Sequence, residues 1–223
     1  MPDAILEIYA SIECPYAYLA VYRLKQLWPE IKGGWSIRWK ALSLEYINRQ
    51  SYSKSLYEAE YQLFQKIEPN LPWQLWKRPE WEWPSTFWPA FEALACAQAQ
   101  GPEAAFEMSW ALRYAHFTGA RNLSWRHELL EIAEQLANQG QLDYVRFKED
   151  WDSGRYKKAV VDESRHGWHA LKLDGSATLI LPGDRRVTNP AIGEIDFDEN
   201  AGRLNSFVPY PGDPLDAYRR LLE

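Results

Sequence analysis

The first forty residues alternate between short apolar runs and one amphipathic segment. Ala4 to Ala10 is a short run of strand-forming residues, and Tyr16 to Trp28 carries apolar residues at helical spacing and stops before Pro29. After Gly33 and Gly34, the segment Trp35 to Trp39 alternates with period two. This order predicts a βαβ unit with parallel strands and a right-handed crossover.

The middle of the chain has a different pattern. From about residue 51 to 170, apolar residues recur at helical spacing, and glycines and prolines separate the segments. The predicted helices span Ser55 to Ile67, Trp88 to Gln100, Glu103 to Thr118, Ser124 to Asn138, Asp143 to Trp151 and Arg155 to His166. Ser124 and Asp143 are predicted N-caps. The Trp- and Pro-rich stretch 71–89 is predicted to be an ordered loop over an apolar surface.

The last part of the chain returns to strands. Ala177 to Leu181, a turn at 182–184 and Arg186 to Thr188 predict a β-hairpin. Asp213 as N-cap and Pro214 at the first helical position predict a closing helix. The whole order predicts an α/β protein of thioredoxin topology with a large all-helical insertion between the second and third core strands. Residues 1–50 and 171–223 would form the thioredoxin-like domain, and 51–170 the inserted helical domain.

The amino-acid composition argues against some classes of binding partner. Of the 223 residues 46% are hydrophobic and 12 are Trp, which indicates a globular protein with a ring-rich core. The net charge of −6 and the lack of clustered Lys and Arg argue against nucleic acid or anionic lipid as a partner. The start of the chain enters a strand without a leader-like apolar segment, and only two cysteines occur, so we expect a cytoplasmic protein away from membranes.

The strongest chemical candidate is Cys14, which lies between the first strand and the first helix. A thiol at a helix N-terminus is exposed to free N–H groups and to the positive end of the helix dipole, which favour the thiolate. Pro15 suits the first helical position. Glu13 is expected to raise the pKa of the thiol. Ala17 stands where a Cys-x-x-Cys motif has its second cysteine, so no local resolving thiol is present.

With these residues in view, the chain resembles the DsbA-like branch of the thioredoxin superfamily. The resemblance rests on the segments 14–20, 111–117, 129–133 and 175–178, and it covers nearly the whole chain. It is greatest to the cytosolic group with polyketide-associated oxidoreductases, kappa-class glutathione transferases, 2-hydroxychromene-2-carboxylate isomerases and mycothiol-dependent nitroreductases. This family usually has a cis-proline before the third strand. Here Ala177 takes that position, and we expect a trans bond or a rearranged loop, because a cis bond costs about 3 kcal/mol more without proline.

The resemblance also implies a set of site residues. Cys14 would be catalytic. The substrate-binding candidates are Pro15, Tyr16, Tyr18, His116, Ser176, Ala177 and Thr178. The expected substrates are a small-molecule thiol, an aromatic compound or a protein disulfide, and a homodimer is compatible with the resemblance.

Three functions stay open at this point. The first is an oxidoreductase in which Cys14 forms a mixed disulfide that an external low-molecular-weight thiol, glutathione or mycothiol, resolves. The second is a transferase or isomerase that activates the sulfur of a bound thiol cofactor, with Cys14 as a neighbour. The third is a redox-inactive binding module that uses a tryptophan-lined face. No permanently bound cofactor is expected under any of them.

The remaining candidates have simpler interpretations. Cys96 lies in the apolar segment 93–97 and is expected in a core helix. Trp73, Trp76, Trp81, Trp83 and Trp88 could form an aromatic wall for a substrate, but packing between insertion and core is the more frequent role of such residues. His166 and His169 have a spacing that can bind metal on a helix, yet no third ligand is evident, so no metal site is predicted.

Overall fold

A four-stranded sheet forms the centre of the computed structural model, which describes residues 4–198 and 201–223. Strand β1 (Ala4–Ala10), helix α1 (Pro15–Ile31) and strand β2 (Trp35–Ala41) form the predicted βαβ unit, and β1 pairs with β2 in parallel. Strands β3 (Thr178–Leu181) and β4 (Arg185–Thr188) form the predicted hairpin. The strand order is β2-β1-β3-β4, with β3 antiparallel to β1, so the first and the last parts of the chain meet at the centre of the sheet.

All of the long predicted helices between β2 and β3 are present. They are α3 (Lys54–Ile67), α4 (Trp88–Gln98), α5 (Pro102–Phe117), α6 (Arg126–Asn138), α7 (Tyr144–Asp152) and α8 (Lys157–Arg165), after a short α2 (Leu44–Asn48). A single π-helical turn, His166–Ala170, follows α8. The α/β class with helices between the second and third strands is therefore confirmed. The stretch 71–89 is an ordered loop with one 3₁₀ turn, Glu80–Glu82.

Two details of the helix predictions were wrong. Helix α1 does not stop before Pro29 but continues to Ile31. Pro29 lies in the last turn, so its missing N–H and its ring disturb only the end of the helix. Ser124 does not cap α6. Its N–H and its hydroxyl both donate to Asn122 Oδ1, at 2.8 and 2.5 Å, and Trp125 takes the N-cap position without a side-chain bond.

A second hairpin near the C-terminus was not predicted. Strands β5 (Glu194–Asp198) and β6 (Arg203–Val208) form a separate antiparallel ladder before the closing helix α9 (Pro214–Leu221). Asp213 caps α9 as expected and accepts a hydrogen bond from the N–H of Leu215 at 2.8 Å. Ile195, Phe197 and Leu204 of this hairpin pack on an aromatic cluster beside α1.

That aromatic cluster is built mainly from rings of α1, α3, α5 and the loop 71–89. Tyr18 and Phe117 stack with ring centroids 4.7 Å apart, and Trp73 meets Phe117 edge-on at 4.8 Å. The larger core cluster combines the sheet, α1 and helices α4 to α7. Within the described part of the chain, no helix has the length and apolar character needed to span a membrane.

The hairpin depends on a glycine. Gly193 has φ of +88°, and a Cβ added there would lie 2.3 Å from the backbone oxygen of Val208. We expect Gly193→Ala to lower the free energy of unfolding by about 2 kcal/mol, because both the backbone conformation and the close approach oppose a side chain. Urea unfolding measures this, and hydrogen exchange over 194–208 detects local opening.

Gly33→Ala is the matched control, because a Cβ at Gly33 would meet nothing within 4 Å. Its stability should change by less than about 1 kcal/mol. Equal stability and equal exchange in the Gly193 and Gly33 variants would contradict the geometry of this turn.

Candidate active site

Cys14 occupies the N-cap position of α1, directly after β1. Its backbone is extended, Pro15 is the first helical residue, and only 4% of the Cys14 surface is exposed. The Cys14 thiol donates a hydrogen bond to the carbonyl oxygen of Ser176 at 3.1 Å. The sulfur therefore lies between the helix N-terminus and the loop that leads into β3.

The peptide bond between Ser176 and Ala177 in that loop is cis, so the predicted trans bond was wrong. Groups from separate segments hold both sides of the bond. The N–H of Ser11 donates to the Ser176 hydroxyl at 2.8 Å, and the N–H of Asn189 donates to the Ala177 carbonyl at 2.9 Å. These are tertiary contacts, and a prediction made from the preference of alanine for a trans bond does not include them.

The environment of Cys14 favours the thiol and not the thiolate. The pKa of Cys14 is raised to about 12: burial is the main cause and the charges of Glu60 and Glu13 contribute, while contacts with the Ala17 backbone and with Ser176 act in the opposite direction. The expected effect of Glu13 is confirmed. The first turn of the helix favours the thiolate, since the Ala17 backbone lowers the pKa, but desolvation outweighs this effect.

A cavity of about 540 Å³ opens beside Cys14. Of the predicted site residues, Cys14, Pro15, Tyr16 and Ser176 line it. Its walls come from α2, the loop 50–53, α3 and the loops before and after the β3–β4 hairpin. The other lining residues are Glu13, Leu44, Glu45, Ile47, Asn48, Gln50, Ser51, Tyr52, Ser53, Leu56, Glu60, Trp168, Asp174, Gly175 and Asn189.

Tyr18, His116, Ala177 and Thr178 do not line this cavity. Tyr18 is buried, and its hydroxyl donates to the carbonyl oxygen of Pro72 at 2.7 Å. His116 lies among the rings of Tyr57, Trp83 and Phe87, and burial lowers the pKa of its imidazole to about 3. Ala177, directly before β3, and Thr178, the first residue of β3, are both buried. Any influence of these four residues on a substrate would be indirect.

The sequence did not predict that Glu13 is buried in the wall of the cavity. Glu13 is 1% exposed, and neither of its carboxylate oxygens has a hydrogen-bond partner among the described residues. Burial raises the pKa of Glu13 to about 7, although the nearby Ser11 side chain and backbone groups lower it. A carboxyl group with this pKa exchanges protons near neutral pH, directly beside the thiol.

Arg113 is a second buried charge near the site. It is fully buried, and its guanidinium donates to the carbonyl oxygen of Ser11 at 3.0 Å and to the hydroxyl of Ser109 at 2.8 Å. Burial lowers the pKa of Arg113 to about 10, and the charges of Cys14 and Glu13 raise it. A lone arginine inside an apolar helical segment was the available signal in the sequence.

Tyr52 and Glu60 complete the wall opposite Cys14. The Tyr52 hydroxyl donates to a Glu60 carboxylate oxygen. Burial and the charge of Glu60 hold the pKa of Tyr52 well above its ordinary value. Tyr52 precedes α3 and Glu60 lies within it, about forty positions after Cys14. The sequence of this region has the pattern of an ordinary amphipathic helix.

The remaining candidates lie elsewhere. Cys96 is a free, buried cysteine in α4. Trp73 and Trp76 are buried in the aromatic cluster, whereas Trp81 is 84% exposed. Among the described residues, no group of three or more His, Cys, Asp and Glu side chains is arranged to hold a metal ion.

The raised pKa of Glu13 predicts how the stability of the protein depends on pH. Between about pH 4.5 and 7 the folded protein holds a proton that the unfolded chain has lost, so stability falls as pH rises through this window. The loss approaches about 3 kcal/mol above pH 7. We expect Glu13→Gln to remove it, so that the variant is more stable than the native protein at pH 8 and similar at pH 4.5, in urea titrations.

Glu134→Gln changes an exposed carboxyl group and is the control. It should retain the pH dependence of the native protein. If Glu13→Gln also retained that dependence, Glu13 would not be the group that titrates.

No family model matches the sequence, and no curated protein matches it. Solved structures do match. A proposed protein disulfide isomerase from Nitrosomonas europaea has a TM-score of 0.66 and 16% identity, over 99% of this chain and 96% of that one. The cytosolic disulfide reductase DsbM from Pseudomonas aeruginosa has a TM-score of 0.63 and 19% identity, over 82% and 87% of the two chains.

The structure of DsbM with GSH also matches, with a TM-score of 0.59 and 18% identity over 82% of this chain and 88% of that one. A 2-hydroxychromene-2-carboxylate isomerase has a TM-score of 0.59 and 17% identity, over 82% and 88% of the two chains. These likenesses show that the chain has the fold of DsbA-like thioredoxin-fold proteins, as predicted.

Proposed function

We propose that this protein is a DsbA-like thiol-disulfide oxidoreductase that uses one cysteine, Cys14, together with an external thiol. The observation that carries the proposal is the position of Cys14 at the N-terminus of α1, against the Ser176–Ala177 loop and beside an open cavity. The shared fold with the disulfide reductase DsbM supports it. The description of DsbM as cytosolic, together with two unpaired cysteines, supports a cytoplasmic location.

The reaction would proceed by two exchange steps. Cys14 loses its proton, and its sulfur attacks one sulfur of an external disulfide. A mixed disulfide on Cys14 forms, and the second sulfur leaves with the bonding electron pair and takes up a proton. A second external thiolate then attacks the outer sulfur of the mixed disulfide and releases the Cys14 thiolate. Each step breaks one sulfur–sulfur bond and forms another, so no further oxidant or reductant is needed.

The second thiol has to come from outside the chain. Ala17 occupies the position of a local resolving cysteine, and Cys96 is buried in α4 and does not line the cavity. The cavity of about 540 Å³ lies in the size range of small-molecule sites, which favours a low-molecular-weight thiol of the glutathione or mycothiol kind. DsbM has been solved with GSH, which supports such a partner for this fold.

A second candidate function is a thiol-dependent transferase or isomerase. The protonated Cys14 thiol is a hydrogen-bond donor, and such a donor could stabilise the thiolate of a bound cofactor without reacting itself. The similarity of fold to a 2-hydroxychromene-2-carboxylate isomerase agrees with this alternative. A stoichiometric thiol bound without a covalent bond would support it, and a covalent adduct on Cys14 would support the oxidoreductase.

Intact-mass analysis distinguishes these functions. After exposure to an oxidised low-molecular-weight disulfide, the native protein should gain the mass of one half-disulfide per chain, and a second thiol should remove it. Cys14→Ala should gain none. Cys14→Ser, which keeps a polar side chain at the N-cap, is the matched variant for folding. Equal labelling of the native protein and Cys14→Ala would overturn the role of Cys14.

The raised pKa of Cys14 predicts the pH dependence of its reactivity. Because the thiolate is the nucleophile, alkylation by iodoacetamide should accelerate about tenfold per pH unit from pH 7 to 10 without levelling off. Free glutathione levels off once its ordinary thiol is ionised. Peptide mass spectrometry follows Cys14 and Cys96 separately. A plateau for Cys14 below pH 8 would show that the thiolate is stabilised after all.

A further inference from the structure

The cavity beside Cys14 is lined by carboxylates and by no cationic side chain. Glu13, Glu45, Glu60 and Asp174 line it, and its described lining residues include no Lys, Arg or His. Charge of one sign that is concentrated in a cleft raises the local concentration of ligands with the opposite charge. The cavity therefore has an electrostatic preference that is independent of the sulfur chemistry.

The hydrogen-bond partners of two of these carboxylates are neutral and leave their charge in place. Glu45 accepts from the Thr86 hydroxyl at 2.9 Å and from the Phe87 N–H at 3.0 Å. Asp174 accepts from the Thr188 hydroxyl at 2.8 Å. In the described part of the chain, neither carboxylate has an ion pair within 4.0 Å. The walls of the cavity thus remain anionic.

Glu13 is an independent sign of a ligand. It is 1% exposed, is one of the residues around the cavity, and has two carboxylate oxygens that are closed off from solvent and have no hydrogen-bond partner among the described residues. A buried carboxylate without a partner is costly, and a positive charge in the cavity beside it would lower that cost by electrostatic attraction.

The nearest buried cation does not replace such a ligand. Arg113 interacts electrostatically with Cys14 and Glu13, but its guanidinium hydrogen bonds are made to Ser11 and Ser109. Arg113 is also absent from the cavity wall. Its charge acts from the protein interior, and the cavity itself is left without a cationic side chain among its described lining residues.

We propose that, among the external low-molecular-weight thiols and disulfides that the proposed function allows, the cavity prefers those that carry a positive charge close to the sulfur, the aminothiol class, over anionic ones such as glutathione. This inference rests on the proposed function of Cys14 in disulfide exchange. The ammonium of the ligand would lie among Glu13, Glu45, Glu60 and Asp174, and its sulfur would face Cys14. Each exchange converts the Cys14 thiol and a disulfide into a mixed disulfide and one released thiol.

Three disulfides of similar length test the charge preference. They are cystamine, which is cationic, bis(2-hydroxyethyl) disulfide, which is neutral, and 3,3′-dithiodipropionate, which is anionic. The rate of adduct formation on Cys14 is followed by intact mass at pH 8 and low salt. Each rate is divided by that of N-acetylcysteine amide, a neutral reference thiol, with the same disulfide. This ratio removes differences in the intrinsic reactivity of the disulfides.

We expect cystamine to react at least about tenfold faster than 3,3′-dithiodipropionate after this correction, with the neutral disulfide between them. In 0.5 M NaCl the difference should shrink, because salt screens charges at the mouth of the cavity. The salt dependence is measured on the native protein, so it does not depend on the folding of any variant.

Charge removal inside and outside the cavity provides the matched comparison. The double variant Glu45→Gln with Asp174→Asn should lose about threefold or more of the preference for cystamine. The double variant Glu103→Gln with Glu134→Gln removes two exposed carboxylates outside the cavity and should keep the preference. Both variants have the same net charge, so a difference between them reports on the cavity.

The outcomes separate this inference from the proposed function. Adducts on Cys14 at the same corrected rate for all three disulfides, or fastest with 3,3′-dithiodipropionate, would overturn the charge preference and leave the role of Cys14 intact. No adduct with any disulfide would overturn the proposed function, and the inference with it.

Discussion

The candidate site depends on one contact between distant parts of the chain. The Cys14 thiol donates to the Ser176 carbonyl oxygen across 162 positions of sequence, and the Ser11 N–H donates to the Ser176 hydroxyl beside it. These bonds exist only because β3 returns to pair with β1 after the whole helical segment. The sheet order therefore forms the site, and the helices between β2 and β3 supply its outer wall through α2, α3 and Trp168.

Within that frame, burial dominates the electrostatics of the thiol. A helix terminus stabilises an anion by at most about 2 kcal/mol in a favourable, partly buried position. The rise in the pKa of Cys14 from 9.0 to about 12 corresponds to about 4 kcal/mol in the opposite direction. The N-cap position is therefore necessary for the architecture but insufficient for a stable thiolate. The sulfur stays protonated and hydrogen-bonded unless a change in its surroundings lowers the pKa of Cys14.

The sequence predicted what local patterns control. Periodicity and turn residues were enough for the βαβ unit, the β3–β4 hairpin and the capped helix α9, because each is determined by neighbours in sequence. The β5–β6 hairpin was missed although Glu194 to Asp198 alternates between polar and apolar residues, because Asp and Glu are uncommon in strands and none of the residues in the two strands is fully buried. The cis bond at Ala177 and the burial of Glu13 depend on contacts between distant segments, which no local preference encodes. The resemblance placed Ser176 near Cys14, but only the tertiary structure brings Tyr52, Glu60 and Asp174 to the same cavity.

The acidity of the cavity and the protonation of Cys14 are two aspects of one electrostatic arrangement. The charges of Glu60 and Glu13 raise the pKa of the thiol, and carboxylates of the same wall favour a cationic ligand. Binding and ionisation are then linked. A cation that binds the thiolate form more tightly than the thiol form lowers the pKa of Cys14 by the logarithm of the ratio of the two affinities. A positively charged disulfide would in this way activate the nucleophile that attacks it. An anionic thiol would face both the repulsion of the wall and an unactivated sulfur, so selectivity and reactivity would come from the same carboxylates.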